Sequence, residues 1–186
     1  MRRISPALIL FLFCVFCCCV SCSLVPGGDI VVSVPDQRLV LYQQDKLVRS
    51  YPISTSRFGL GDTPGSYKTP VGILRVARKI GHGAKPGSVF KSRKKTGEVL
   101  LPNAPGRDPI VTRILWLKGN CPSTRNAFER FIYIHGTPEE RTLGTPTSYG
   151  CVRMASSDII DLFERVKVGA SVVITTQSFR RLFGKG

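Results

Sequence analysis

Acidic residues are scarce in this chain of 186 residues, which contains 12 Asp and Glu and 27 Lys and Arg. The formal net charge is therefore +15, and the pI is about 10.0. Apolar residues make up 42% and charged residues 21%, which excludes a disordered polyampholyte and a multi-pass membrane protein. A charge this basic implies an anionic partner, such as nucleic acid, a lipid surface or an acidic polymer of the cell envelope, and charge alone does not choose among them.

Cysteine and histidine are also scarce outside the N-terminus. Five of the seven cysteines lie within the first 22 residues, so the rest of the chain retains Cys121 and Cys151, with His82 and His135 as its histidines. Two cysteines do not make a disulfide scaffold, although a single disulfide between Cys121 and Cys151 remains an alternative. No C-x-x-C or H-x-x-x-H spacing joins these four residues, so we predict no structural zinc site.

The N-terminus has the pattern of an export signal. Arg2 and Arg3 precede an apolar run from Ala7 to Val20, which is too short to span a bilayer comfortably. We therefore predict a signal peptide over residues 1–21. The run ends in Cys19-Val20-Ser21-Cys22, which resembles a bacterial lipobox and makes Cys22 the candidate lipidation site.

This prediction places the protein in the periplasm or cell envelope, with a lipid anchor at Cys22 and a tether over residues 22–28. Removal of the signal lowers the formal charge only from +15 to +13, since the segment contains Arg2 and Arg3 and no acidic residue. The mature protein therefore stays basic. We predict an envelope partner rather than nucleic acid.

The mature chain has the pattern of one mainly β domain over residues 29–176. Its 18 glycines and 13 prolines favour turns over a helical bundle. We predict strands at 29–34, 39–42, 47–53, 72–80, 110–117, 131–135 and 171–176. Residues 54–70 and 81–97 are predicted loops, and 177–186 form a basic C-terminal tail. One or two short helices are expected.

The clearest predicted helix begins after residue 155. Ser156 or Ser157 is the expected N-cap, and Gly169 is the expected stop. Apolar residues recur at helical spacing between these limits and form one face, namely Ile159, Leu162, Phe163 and Val166.

His135 and Cys151 have the arrangement expected of an acyl-transfer site. His135 ends a predicted strand, and Cys151 lies sixteen positions later, just before the predicted helix. A free thiol has a pKa of roughly 8.5, and a neighbouring imidazole or a helix N-terminus favours the reactive thiolate. Gly150 permits a tight turn, and the backbone N–H groups of Tyr149, Gly150 and Cys151 are candidate oxyanion donors.

A structural interpretation of the same residues is equally compatible with their spacing. A lone cysteine is commonly a small core residue, and a lone histidine commonly satisfies a local hydrogen bond. Cys121 has no histidine nearby in sequence, and we interpret it as an unreactive thiol. Glu139 and Glu140 are predicted to be solvated loop charges.

The sequence resembles the L,D-transpeptidases with a YkuD-type catalytic domain. The family signature is an H-G segment, a spacer, and then S-H-G-C followed by an apolar residue, Arg or Asn, and commonly Met or Leu. Here it reads His135-Gly136-Thr137 and then Ser148-Tyr149-Gly150-Cys151-Val152-Arg153-Met154. Ser54-Thr55-Ser56 and Lys68-Thr69-Pro70-Val71-Gly72 resemble two upstream family segments, and the likeness covers about residues 29–176.

The resemblance implies a β-sandwich or open barrel and a catalytic cysteine, Cys151, with His135 as its base. It also implies that a backbone carbonyl near Gly136 orients His135. The active-site loop would consist of Ser148, Tyr149 and Gly150, together with Gly136. Arg153 and Thr137 are candidate substrate contacts. The alternative for Arg153 is a structural role. Tyr149 replaces the second histidine that is common in the family, and a phenol with a pKa near 10 is a poor base at neutral pH.

The implied reaction acts on peptidoglycan. Cys151 would attack the diaminoacid carbonyl of a stem tetrapeptide and release D-Ala, and an amine or water would then take the acyl group. The resemblance implies no metal or cofactor, and we expect a monomer. The alternatives are L,D-carboxypeptidase activity at the same site, a non-catalytic envelope-binding lipoprotein, and a sortase, whose T-L-x-T-C motif this chain lacks.

Overall fold

The computed structural model of the chain describes residues 29–184. The predicted signal peptide (1–21), the candidate lipidation site Cys22 and the tether (22–28) lie outside the described residues. Among the described residues, none of the helices has the length and apolar character needed to cross a membrane.

Ten strands form one sheet, and the mainly β prediction is confirmed. The strands are β1 (Ile30–Ser33), β2 (Arg38–Gln43), β3 (Lys46–Pro52), β4 (Gly72–Ile80), β5 (Ser88–Lys91), β6 (Lys94–Val99), β7 (Ile110–Gly119), β8 (Tyr133–Gly136), β9 (Val152–Met154) and β10 (Ser171–Thr175). Their order is β3-β2-β1-β10-β4-β7-β5-β6, and β8 and β9 branch from β7. The helices are α1 (Ser156–Arg165) and α2 (Phe179–Phe183).

The hydrophobic core lies between this sheet and α1. Strand β1 is buried throughout because it pairs with β2 on one side and with β10 on the other. Ile159, Leu162 and Phe163 of α1 are buried, and the helix packs against β7 and β8. This packing holds β8 in place at its C-terminal end, where His135 lies.

The prediction of a loop over residues 81–97 is wrong, since this segment contributes β5 and most of β6. The two strands form a hairpin whose turn residues, Ser92 and Arg93, have φ values of 48° and 68°. Two successive positive φ values are typical of the tight turns that join antiparallel strands. The exposed strand β6 carries lysines and a glycine, which have low strand propensity, so the local sequence contained no strand signal.

Helix α1 begins where we predicted, but neither predicted serine caps it. The N-cap is Ala155, and the backbone N–H of Ser156 donates to the carboxylate of Glu140 at 2.8 Å. Glu140 is therefore not the solvated charge that we predicted. The helix ends at Arg165 rather than at Gly169, and the predicted basic tail contains α2.

Candidate active site

The parallel pairing of β8 with β9 brings His135 and Cys151 to one face of the sheet. His135 lies opposite Arg153 in this pairing, and Ile134 lies opposite Val152. Cys151 directly precedes Val152, so the same register sets it beside Tyr133. Because side chains two residues apart share a face, Tyr133, His135, Cys151 and Arg153 form a two-by-two group.

His135 is buried and oriented by its own strand. Its side chain is 5% exposed, and its Nδ1 lies 2.8 Å from the carbonyl oxygen of Gly136. A carbonyl only accepts, so Nδ1 carries the proton and Nε2 of the neutral ring is left as an acceptor. Burial lowers the pKa of His135. This effect outweighs the hydrogen bond to Gly136 and the negative charge of Asp108, which both raise the pKa. The ring is therefore neutral at pH 7.

The Cys151 thiol is half-buried and protonated. Its Sγ accepts from the backbone N–H of Tyr133 and donates to the carbonyl of Phe131, both at 3.4 Å. Burial raises the pKa of Cys151 to about 11, although the Tyr133 N–H and the Arg130 charge lower it.

This raised pKa is opposite in direction to the effect that a neighbouring imidazolium or a helix N-terminus would have, and two features explain it. The neutral His135 supplies no positive charge. Helix α1 starts five residues after Cys151, and strand β9 separates its N-terminus from the sulfur by roughly 10 Å of extended chain. Among the described residues, no hydrogen bond joins the Cys151 sulfur to the His135 ring.

The turn before Cys151 is fixed by its own hydrogen bonds. Ser148 Oγ donates to the carbonyl of Cys151 at 2.6 Å and accepts from the N–H of Gly150 at 3.2 Å. Gly150 has φ +116°, and a Cβ there would lie 3.3 Å from the carbonyl oxygen of Lys68. Thr69 Oγ1 donates to the Gly150 carbonyl at 3.0 Å. The tight turn thus requires Gly150.

One predicted oxyanion donor is already occupied. Because the Gly150 N–H donates to Ser148, it is not free to bind a developing oxyanion. The N–H groups of Tyr149 and Cys151 have no acceptor among residues 29–184. The Tyr133 N–H is likewise occupied, because it donates to the Cys151 sulfur, and sequence reasoning missed this contact.

Arg153 and Thr137 are buried and bound to protein groups. Arg153 is 3% exposed, pairs with Asp108, and donates to Ser54, Thr142 and Thr147. Thr137 Oγ1 also donates to Asp108. These contacts favour the structural alternative for Arg153. Asp108 was missed because it lies in a loop of Pro, Gly and Asn without any motif.

A cavity of about 330 Å³ opens beside Cys151. Its lining residues are Gly65, Tyr67, Ile110, Arg130, Phe131, Ile132, Tyr133, Tyr149 and Cys151. Tyr149 is 60% exposed, and its ring contacts Phe58 and Tyr67 at centroid distances of 5.4 and 6.0 Å. The ring that replaces the second family histidine therefore forms part of an exposed aromatic wall.

Arg130 links this cavity to the loop that precedes β4. It pairs with Asp62 at 2.8 Å and donates to the carbonyls of Gly61 and Lys68. Its partners are far away in sequence, so no local pattern indicated it. Cys121 is exposed, and both Cys121 and Cys151 are free thiols, which overturns the alternative of a disulfide between them.

Comparisons with known proteins agree with this architecture. A family model, the YkuD L,D-transpeptidase catalytic domain, matches residues 27–174. The Escherichia coli (strain K12) protein named Probable L,D-transpeptidase YcfS is 28% identical over 153 residues, which are 80% of this chain and 44% of that protein. The chain thus spans less than half the length of this curated relative.

Solved structures share the fold at low sequence identity. An L,D-transpeptidase from Mycobacterium smegmatis has a TM-score of 0.51 at 16% identity, over 80% of this chain and 59% of that one. L,D-transpeptidase 3 from Mycobacterium tuberculosis, in complex with a faropenem-derived adduct, has a TM-score of 0.51 at 18% identity, over 80% and 61%.

Proposed function

The chain belongs to the YkuD L,D-transpeptidase family, and we propose on that premise that it is an exported peptidoglycan L,D-transpeptidase. The observation that carries the proposal is the pairing of β8 with β9. It sets the Cys151 thiol and the neutral His135 ring on one face of the sheet, and Cys151 lines an open cavity.

The first half-reaction starts from the neutral pair. His135 Nε2 accepts the thiol proton as Sγ attacks the diaminoacid carbonyl of a stem tetrapeptide. The backbone N–H groups of Tyr149 and Cys151, which have no acceptor within residues 29–184, stabilise the negative charge that develops on the carbonyl oxygen. His135 then donates its proton to the departing amine, D-Ala leaves, and a thioester remains on Cys151.

The second half-reaction releases the acyl group. An amine of another stem, or of a protein destined for wall attachment, loses a proton to His135 and attacks the thioester. The thiol of Cys151 is restored as the new amide forms. Water in place of the amine gives a trimmed stem, which is the carboxypeptidase outcome. Export through residues 1–21 and lipidation at Cys22 would hold this chemistry in the envelope.

Mass spectrometry of the intact protein tests the nucleophile. A relative of the same fold is known with a faropenem-derived adduct, so faropenem is a suitable probe. We expect a covalent adduct on the wild type and on Cys121→Ala, and none on Cys151→Ala. The Cys121 variant is the matched control because it removes the other free thiol of the described residues.

A stem tetrapeptide tests the reaction itself. We expect release of D-Ala by the wild type, together with a cross-linked dimer, a protein conjugate or a tripeptide, depending on the acceptor supplied. A folded wild type that forms no adduct and releases no D-Ala would refute the enzyme and favour an envelope-binding lipoprotein. Dependence on a sorting-signal peptide would instead indicate a sortase.

A further inference from the structure

Arg93 lies against the wall of the Cys151 cavity. It occupies the turn of the β5–β6 hairpin, and its guanidinium lies 4.8 Å from the ring centre of Phe131 and 5.0 Å from that of Trp116. One of its terminal nitrogens donates to the Tyr133 hydroxyl at 3.4 Å. Phe131 and Tyr133 both line the cavity, so the hairpin brings a cation to its edge.

Within residues 29–184 no carboxylate pairs with Arg93, unlike two other arginines at the site. Arg130 pairs with Asp62, and Arg153 pairs with Asp108. The ion pairs formed within residues 29–184 do not include Arg93. Its hydrogen bond to a neutral phenol is long, and the half-buried guanidinium keeps donors for a carboxylate.

Tyr133 sets the distance between this cation and the nucleophile. Its backbone N–H donates to Cys151 Sγ, and its hydroxyl accepts from Arg93. One tyrosine residue, about 6–7 Å from nitrogen to hydroxyl by standard bond lengths, and its two 3.4 Å hydrogen bonds therefore separate the sulfur from the guanidinium. A bound diaminopimelate residue has a similar reach, with about 4–5 Å from the attacking sulfur to its Cα, about 6–7 Å from Cα to the distal carboxylate, and about 3 Å for the hydrogen bond to the arginine.

We propose that Arg93 binds the carboxylate at the far end of the diaminoacid side chain in the donor stem. This inference rests on the proposed function and names a specificity that the family motif does not contain. Arginine suits the role because its planar fork binds a carboxylate through two parallel hydrogen bonds. A diaminoacid that ends in a carboxylate is therefore preferred over one that ends in a plain amine.

Three tetrapeptides that differ only at the third residue test the proposal. This residue is meso-diaminopimelate, its distal amide or L-lysine, so the terminal D-Ala carboxylate is common to all three. We expect wild-type kcat/KM to be about tenfold or more higher for the carboxylate than for the amide. R93Q should lower only the carboxylate value and so remove the preference, while R93K should keep part of it.

R78Q is the matched control. Arg78 also stacks on the Trp116 ring, at 5.4 Å, but its second ring contact is Phe128, which does not line the Cys151 cavity. We expect R78Q to retain the full preference for the carboxylate. Loss of the preference in both variants would show that the aromatic stack, and not a contact from Arg93, supports the hairpin.

A binding measurement separates failure of this inference from failure of the proposed function. Calorimetry with Cys151→Ala compares the affinities of the carboxylate and amide peptides without turnover, and the double variant with R93Q repeats it. Loss of the difference in the double variant supports the assignment even if no D-Ala is released. A preference that persists in R93Q, or no preference in the wild type, overturns it.

Discussion

The protonation state of the Cys151 and His135 pair predicts how the free protein reacts with a small electrophile. With a pKa of about 11, only about one Cys151 in ten thousand is a thiolate at pH 7. An ordinary thiol with a pKa of roughly 8.5 is about 3% ionised at that pH, some 300-fold more. A more basic thiolate is intrinsically more reactive, which offsets about tenfold of this difference.

We therefore expect iodoacetamide to alkylate Cys151 about 30-fold more slowly at pH 7 than an exposed thiol. Peptide-resolved mass spectrometry measures both rates in one sample, because the exposed Cys121 supplies the reference. The Cys151 rate should rise about tenfold for each pH unit between pH 7 and 10. A rate that levels off near neutral pH would refute the assignment of a resting thiol.

The same assay in His135→Ala separates a base from a charge partner. A neutral imidazole does not stabilise a thiolate, so we expect the alkylation rate of Cys151 to change by less than about threefold. Release of D-Ala should fall by about 10² to 10⁴, the usual contribution of general acid–base catalysis. If alkylation slowed tenfold or more, the resting pair would be an ion pair and the proposed order of proton transfer would be wrong.

Three further predictions concern the groups around this pair. Arg153→Ala should destabilise the fold by roughly 3 kcal/mol, because Asp108 loses its ion-pair partner and three hydroxyl groups lose a donor. Thermal denaturation should show a fall in Tm of roughly 10 °C, against little change in Arg57→Ala, whose side chain is exposed. Thr69→Val should cost about 1–3 kcal/mol in chemical denaturation because it leaves the Gly150 carbonyl and the Ser56 N–H unpaired, while Thr69→Ser keeps both bonds. The acid limb of kcat/KM should lie below pH 6.5, because the pKa of His135 is lowered and activity is lost only when the ring binds a proton; a limb above pH 7 would contradict it.

Most of the sheet could be predicted from the sequence, and so could the residues of the proposed reactive pair. Residues 72–80 and 110–117 have apolar, β-branched patterns, and the structure has β4 and β7 there. Strand β9 was missed because three residues are too few for a period to be visible. His135 and Cys151 were found through a motif, since their spacing alone was compatible with two ordinary buried residues.

The supporting groups could not be predicted, because they depend on contacts between distant segments. Asp108 binds Arg153, which is 45 positions away, and Arg130 binds Asp62, which is 68 positions away. The protonation state of Cys151 has the same origin. Sequence proximity to a helix suggested a thiolate, but burial and an intervening strand set the pKa. Such pKa shifts follow from the three-dimensional environment of a group, not from its neighbours in the chain.

A protonated resting cysteine would suit the exported enzyme that we propose, because an oxidising compartment threatens free thiolates. Oxidants react with the thiolate form of cysteine, and the thiolate is also the form that attacks disulfides. A thiol with a raised pKa is therefore protected from both reactions between turnovers. Cys121 is exposed and has no role in the proposed reaction. Activation of Cys151 then depends on the substrate, because the thiol ionises only as its proton passes to His135 during attack. The burial that makes Cys151 unreactive in the free protein therefore confines its reactivity to an electrophile that the cavity can orient.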